Sequence, residues 1–243
     1  MKKTHVIIFV VVAIILVAAI PVRRVTAANK IAHLCQLIEN GENEAAIEAA
    51  KGIRDLNAPS TIFPRFVSFI EGKVTTPLVQ ACETGNAEMI VWLLEHGAKV
   101  DYAPGAIEYP LEIFCDNGTG AGTDALEKLL EYGADPELYR YRPPLFRLMQ
   151  TLRHRSDETY DTGVEMTLLL LDKGAKWRDP KDGFTVFHFA AMQRNTDFLK
   201  ALLERDQAAD YINMKDDEGQ TPLDIAEKFG NTECARILQE AGA

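Results

Sequence analysis

The side chains that most often perform chemistry in proteins are few and scattered in this chain. His33 and Cys35 have the spacing of two metal ligands, but zinc needs at least three protein ligands and no second pair follows. His188 has no Cys, Ser or carboxylate at the spacing of a catalytic triad. The chain has three serines, which are Ser60, Ser68 and Ser156. None of them follows the pattern of a strand-to-helix nucleophile elbow. We therefore expect a non-enzymatic protein with no catalytic, cofactor or metal site.

Alternating glycines at residues 118–122 are a second candidate for chemistry, because glycine-rich loops can cradle phosphate groups. A phosphate loop follows a strand and is followed by a lysine, and neither feature is present here. The net charge of −10 also disfavours an anionic ligand. The stretch is therefore predicted to be a lengthened loop between two helices.

Residues 76–97 have the pattern of two short helices with their caps. Thr76 can cap the first helix, and Pro77 suits the first helical position because its missing N–H has no helical partner. Gly85 and Gly97 can adopt the left-handed conformation that ends a helix. Helices shorter than about 12–15 residues are marginal alone. This unit therefore needs neighbours that repeat it.

The unit does recur along the chain. Thr221 is followed by Gly230 and Gly242 at the two spacings that separate Thr76 from its glycines. The stretch at residues 185–203 has the same apolar positions, although Arg194 stands at its first glycine position. Interrupted copies begin near residues 110 and 144. Such a period predicts a stack of similar units.

This pattern resembles the ankyrin repeat. The resemblance rests on the sequences TPLxxAxxxG…LLExGA at residues 76–98 and TVFHFAA at residues 185–191. The resemblance implies an all-α ankyrin-repeat solenoid of about six helix-turn-helix units, joined by short β-hairpin fingers and preceded by an N-terminal hydrophobic helix. It also implies that His188 is a structural hydrogen bonder, and that partners bind at finger tips and on the exposed side of the first helices.

The expected domains follow from this register. Residues 1–28 are predicted to be a signal peptide or single-pass membrane anchor, and residues 29–243 to be the repeat domain. Repeats one to six are predicted at residues 30–58, 73–103, 106–137, 142–178, 182–213 and 218–243. Two insertions are predicted, at residues 59–72 and 151–162. The first either packs on the first two repeats or offers an exposed apolar patch to a partner. The second is expected to be a polar loop.

The first 28 residues differ in composition from the rest. Lys2, Lys3, Arg23 and Arg24 flank the apolar residues 6–22, without any acid. Seventeen apolar residues give roughly 25 Å of helix, at the lower limit for crossing a membrane. We expect either a membrane anchor in a bacterial inner membrane facing the periplasm, or a cleaved signal peptide that leaves a soluble periplasmic protein.

Charge restricts the class of partner. The first 28 residues hold four cations and no acid, so the remainder of the chain has a net charge of −14. Such a surface disfavours nucleic acid and favours another protein with a basic surface. The repeat domain is expected to be monomeric. No disulfide is expected, because equivalent cysteines of stacked repeats lie about 10 Å apart.

Aromatic and arginine side chains near the fingers are the predicted partner-binding residues, because Tyr, Trp and Arg dominate interface hot spots. They are Tyr102, Tyr139, Arg140, Tyr141, Arg142, Arg147, Trp177, Arg178 and Phe189. Two structural alternatives stay open. The Tyr rings could pack on neighbouring fingers while the arginines offset acidic surface, and Trp177 is either a stacking residue or a partner anchor.

The sequence therefore predicts a non-enzymatic protein–protein interaction module displayed in the bacterial periplasm. One form is an immunity protein that sequesters a toxin. The alternatives are an envelope scaffold or stress-related assembly protein, and a membrane-tethered adaptor that faces the cytoplasm. Fold alone does not decide among them.

Overall fold

The computed structural model describes residues 22–60, 74–104, 108–153 and 158–243. Most of the predicted apolar helix at residues 6–22 and most of the insertion 59–72 lie outside these ranges. The described helices are α1 (Val22–Glu39), α2 (Asn43–Lys51), α3 (Pro77–Thr84), α4 (Ala87–Glu95), α5 (Pro110–Asn117), α6 (Gly122–Glu131), α7 (Pro144–Leu152), α8 (Glu158–Asp172), α9 (Val186–Gln193), α10 (Thr196–Leu203), α11 (Ala208–Tyr211), α12 (Pro222–Lys228) and α13 (Thr232–Glu240). Within these ranges, no helix is both long and apolar enough to cross a membrane.

Helix ends form where the cap residues predicted them. Thr76 Oγ1 accepts a hydrogen bond from the Val79 N–H at 3.3 Å, and Gly85 ends α3 with a φ of 64°. Thr221 caps α12 in the same way, with Asp224 closing a reciprocal capping box. These bonds satisfy the backbone groups that a short helix leaves unpaired at its ends.

The helices stack in two layers. The first helices of the repeats are α1, α3, α5, α7, α9 and α12, and the second helices are α2, α4, α6, α8, α10 and α13. Between the layers lies a core whose large side chains include Met89, Phe114, Leu126, Phe187 and Phe198, each almost fully buried. Each repeat buries its apolar face on its neighbours, so the stack is stable although its single helices are short.

The segments that join consecutive repeats are called fingers one to five, at residues 55–58, 99–104, 135–142, 176–184 and 213–220. In the described residues they contain a single β-bridge, between Arg178 and Thr185. The expectation of short β-hairpin fingers is therefore wrong for this part of the chain. The fingers are turns, because too few of their backbone groups face each other to form strands.

Side chains join the fingers where strand pairing is absent. Three residues at the third position of a finger accept a hydrogen bond from the first backbone N–H of the next finger: Asn57 from Lys99 at 2.7 Å, Asp101 from Asp135 at 3.2 Å, and Glu137 from Lys176 at 2.9 Å. The fourth finger departs from this series, because Arg178 at that position donates to Asp217 at 3.2 Å. These bonds hold the fingers in a row along one side of the stack.

Two element boundaries differ from the expected ones. The continuous helix α1 crosses the expected domain boundary at residue 28. The polar insertion at residues 151–162 is helical at both ends, because α7 continues to Leu152 and α8 begins at Glu158. Tyr160 and Val164 pack against the core, which explains why α8 starts earlier than a projecting loop would allow.

Candidate functional site

A groove opens along the first helices of repeats four, five and six. It encloses about 560 Å³. Its apolar lining consists of Phe146, Met149, Phe184, Phe189, Met192, Ile225 and Phe229. Phe229 remains 45% exposed, whereas Met149 and Phe189 are buried at the floor. An apolar concavity of this kind on a protein surface is a candidate binding site.

The groove exists because α7 and α9 are set apart. Among the described first helices, the neighbouring pairs pack closely except α7 and α9. Met149 of α7 occupies the position that holds the smaller Cys82, Cys115 and Ala191 in repeats two, three and five. It lies on the floor of the groove that the wider junction leaves.

Carboxylates gather on the finger side of the groove, which we call the acidic lip: Asp182, Asp216, Asp217 and Glu218. Two cations, Arg142 and Lys181, line the same side. Arg142 is already engaged, since it bonds to the buried Asp179 and, at 2.9 Å, to Asp182. Asp217 is also paired, with Arg178 at 3.2 Å, so Asp216 and Glu218 are the carboxylates of the acidic lip that have no ion pair among the described residues.

Three further cations follow or end the first helices: Arg153, which lines the groove, Lys228, which lines it and reaches finger five, and Arg194, which does not line it. Each is held by a neutral acceptor. Arg153 donates to Met192 Sδ at 3.4 Å, Arg194 to the Phe229 carbonyl at 3.1 Å, and Lys228 to Gln220 Oε1 at 2.8 Å. Within the part of the chain that the structure describes, none of the three forms an ion pair with a carboxylate. These three cations therefore add positive charge at the carboxyl ends of the first helices.

Two of the predicted partner-binding residues are in the core. Trp177 is 3% exposed, and its ring lies 5.6 Å from the Tyr211 ring and 5.9 Å from the Phe187 ring. It is thus the stacking residue of the two alternatives. Phe189 is buried on the groove floor rather than exposed, because its ring packs edge-on against Phe198.

Three predicted arginines are engaged in ion pairs within the chain. Arg147 pairs with Glu108 and, at 2.8 Å, with Asp116. Arg178 pairs with Asp217 at the acidic lip. Arg142 joins fingers three and four as described above. These side chains fix neighbouring repeats, so the structural alternative accounts for their positions.

The remaining predicted residues lie on fingers two and three. Tyr102 is partly exposed beneath Lys99, whose ammonium lies 5.7 Å from the ring centroid. Tyr139 is half-buried, whereas Tyr141 is 63% exposed. Arg140 covers the Tyr109 ring at 5.3 Å. This aromatic surface is separate from the groove, and its role in binding remains a prediction.

The residues that form the groove were not singled out by sequence reasoning, apart from Phe189 and Arg142. The available signal was Met149, which is larger than the residues at the same position in repeats two, three and five. The charged residues of the groove had no sequence signal of their own, because Arg153, Glu218 and Lys228 look like ordinary surface charges until the fold brings them together.

His188 connects the groove-bearing repeats five and six. Its Nδ1 accepts the Thr185 N–H at 3.1 Å, so Nε2 carries the proton and donates to the Gln220 carbonyl at 2.9 Å. The side chain is fully buried, and burial lowers the pKa of His188. Protonation would place a second N–H against the Thr185 donor. These bonds confirm that His188 is a structural hydrogen bonder, as the resemblance implied.

Folding stability should therefore fall in mild acid. Because the folded-state pKa of His188 lies below its ordinary value of about 6.5, the unfolded chain binds the proton first. Stability contributed by the neutral ring is complete above about pH 6.5 and is lost as the pH falls toward the folded-state pKa. His188→Gln retains capping capacity without a titrating ring. Urea titrations across this range should give a shallower pH dependence for the variant, and equal slopes would contradict the assignment.

Comparisons with known proteins agree with the repeat register. The family model described as "Ankyrin repeats (3 copies)" matches residues 159–243, and the model described as "Ankyrin repeat" matches residues 75–103. The chain is 30% identical over 180 residues to "Ankyrin repeat protein nuc-2" of Neurospora crassa, which covers 73% of this chain and 16% of that protein.

Two shorter likenesses point the same way. The chain is 42% identical over 62 residues to "Probable E3 ubiquitin-protein ligase XBOS31" of Oryza sativa subsp. japonica, covering 26% of this chain and 13% of that protein. It is 43% identical over 61 residues to "Protein phosphatase 1 regulatory subunit 12A" of Mus musculus, covering 25% of this chain and 6% of that protein. The chain thus spans less than a fifth of the length of each of these relatives.

Proposed function

We propose that this chain, which contains ankyrin repeats at residues 75–103 and 159–243, is a non-catalytic protein-binding module whose binding surface is the groove of repeats four to six. Ankyrin repeats imply a protein–protein interaction module, and one of the relatives is by its name a regulatory subunit. The proposal adds the place where the partner binds.

The observation that carries this proposal is the exposed ring of Phe229 at the edge of the groove between α7, α9 and α12. A large aromatic ring that is 45% exposed, Phe229, stands at the edge of a floor made of phenylalanine and methionine side chains. Methionine and aromatic side chains are enriched in interface cores, where they adapt to a partner's shape. The charged residues that line the groove, such as Arg153, Asp216 and Lys228, match the polar rim that surrounds such cores.

The proposed location is outside the cytoplasm of a bacterial cell. It rests on the apolar residues 6–22 between flanking cations, which suit an inner-membrane anchor or a cleaved signal peptide. In that setting the partner would be a periplasmic protein, and an immunity protein that sequesters a toxin is the concrete form we propose. An envelope scaffold and a cytoplasmic-facing adaptor are the alternatives.

Replacing Phe229 with Ala should weaken partner binding about tenfold, since an aromatic anchor at an interface centre is worth more than about 1 kcal/mol. The measurement is quantitative capture of partners from an envelope extract on the immobilised full chain. Tyr141→Ala is the matched control, because it removes an exposed aromatic ring from finger three. If capture were lost with Tyr141→Ala and kept with Phe229→Ala, the finger surface would be the binding site instead.

A further inference from the structure

Arg194 has a backbone conformation that arginine rarely adopts. It ends α9 with a φ of 58°, and among the described residues it is the only one other than glycine with a positive φ. Glycine stands at the same register position in repeats two and six, where Gly85 and Gly230 have φ values of 64° and 67°. In this region the Cβ of any other residue lies too close to the following carbonyl oxygen. Local backbone chemistry therefore favours glycine at position 194, and the arginine needs another explanation.

The Arg194 side chain supplies that explanation, because its guanidinium reaches from repeat five to repeat six. Its Nε donates to the Asn231 side-chain oxygen, and its Nη2 donates to the Phe229 carbonyl at 3.1 Å. The two acceptors lie on either side of Gly230, in the turn between α12 and α13. A guanidinium presents its donors in a rigid fork, so the two bonds fix this turn at two points.

Asn231 shows what the contact replaces. Asn86 and Asn195 occupy the same register position in repeats two and five, and each caps its own second helix by accepting a hydrogen bond from a backbone N–H. Asn231 also stands at the N-cap of a second helix, but its side chain does not cap that helix. Its Oδ1 accepts from Arg194, and its Nδ2 donates to the Met192 carbonyl at 3.2 Å. In repeat six, the cap bond is thus replaced by bonds to repeat five.

The turn that Arg194 holds carries Phe229, the exposed ring at the edge of the groove. Repeat six packs on repeat five through α9 and α12, and the described residues place no repeat on its other side. Elements with few neighbours open locally more often than those in the middle of a stack. Without bonds from repeat five, the turn and its ring would therefore sample several positions.

We propose that Arg194 is a positioning residue of the binding surface, which holds the turn at residues 229–231 so that the Phe229 ring is in place before a partner arrives. Arg194 does not line the groove, and it acts through Phe229. Ordering a side chain in advance lowers the cost of binding. This inference rests on the proposed function, to which it adds the residue that prepares the binding surface.

Replacing Arg194 with Gly tests the inference, since glycine suits a φ of 58° and removes both side-chain bonds. In the full chain, amide hydrogen exchange at residues 229–231 should become about fivefold faster relative to the amides of α9 and α10. This is the effect of losing one hydrogen bond of ordinary strength. A role confined to overall stability predicts instead an equal rise in exchange throughout repeats five and six.

Two further variants separate the fork from its charge. Arg194→Lys keeps the positive charge but lacks the rigid fork, and it should give the same local rise in exchange. Arg236→Ala is the matched control, because the Arg236 guanidinium binds Glu233 and Glu240 within α13. The control should leave exchange at residues 229–231 unchanged.

Binding provides a readout that a purely structural role would not produce. Arg194→Gly should weaken capture of the partner from envelope extract about fivefold in the wild-type background. In the Phe229→Ala background it should have no further effect, because the ring that it positions is gone. Equal weakening in both backgrounds would overturn the inference, since Arg194 would then act without Phe229.

Unchanged exchange at residues 229–231 in both Arg194 variants would also overturn the inference, and so would an equal rise across repeats five and six. None of these results would touch the proposed function, which depends on the effect of Phe229→Ala on partner capture. Conversely, capture that Phe229→Ala leaves unchanged would remove the groove as the binding surface, while hydrogen exchange would still show whether Arg194 holds the turn.

Discussion

Replacing Trp177 with Ala should lower the free energy of unfolding by about 3–5 kcal/mol, the usual cost of deleting a buried aromatic side chain. The Trp177 ring is 3% exposed and lies against Phe187 of repeat five and Tyr211 near its end. It therefore joins finger four to the next repeat, and its removal leaves a cavity at the junction. Guanidinium denaturation followed by circular dichroism measures the loss.

Tyr141→Ala is the control for this comparison. The Tyr141 ring is 63% exposed, and surface substitutions of this kind usually change stability by less than about 0.5 kcal/mol. A finger-tip role for Trp177 would predict similar small losses for both variants. Equal small losses would show that the buried Trp177 side chain does not contribute to stability as its contacts with Phe187 and Tyr211 imply.

A second large loss is expected for Arg142→Ala, of about 3 kcal/mol, because breaking a buried ion pair leaves an uncompensated charge. The Asp179 carboxylate is fully buried and bonds to Arg142 and to the Lys181 N–H at 2.8 Å. Without the guanidinium, only neutral donors face that carboxylate. Chemical denaturation of Arg142→Ala, of Asp179→Asn and of the double variant gives the coupling energy between the two side chains.

The matched control for Arg142 is Arg178→Ala. Arg178 also pairs with an aspartate of the next finger, Asp217, but both side chains are largely exposed. Exposed pairs contribute about 0–1 kcal/mol. If the two arginine variants lost the same stability, burial of Asp179 would not have the energetic effect assigned to it.

The parts of the fold that were predictable from sequence are those set by local backbone chemistry. Thr76, Thr221 and Gly85 each impose a cap or a left-handed turn that depends on a few neighbouring residues. Their fixed spacing then requires a stack, since no single unit buries enough apolar surface alone. The prediction of β-hairpin fingers was wrong for the described residues. Side chains such as Asn57, rather than paired strands, join neighbouring fingers there.

The groove was not predictable in the same way, because it depends on distances between repeats. The repeat register places Phe189 at an exposed position of its first helix, but the side chain is buried because its ring packs edge-on against Phe198. Trp177 likewise lies on a finger by sequence and in the core by structure. The charged residues around the groove come from several repeats, so they meet only once the stack is assembled.

Binding of a partner protein in the groove of repeats four to six is tested most directly by a dissociation constant. The constant is that of the partner for the full chain, measured for the wild type and for Phe229→Ala. With the captured partner purified, the constant should rise about tenfold in the variant, while Tyr141→Ala leaves it unchanged. Equal constants for the wild type and Phe229→Ala, with both proteins folded, would contradict the claim.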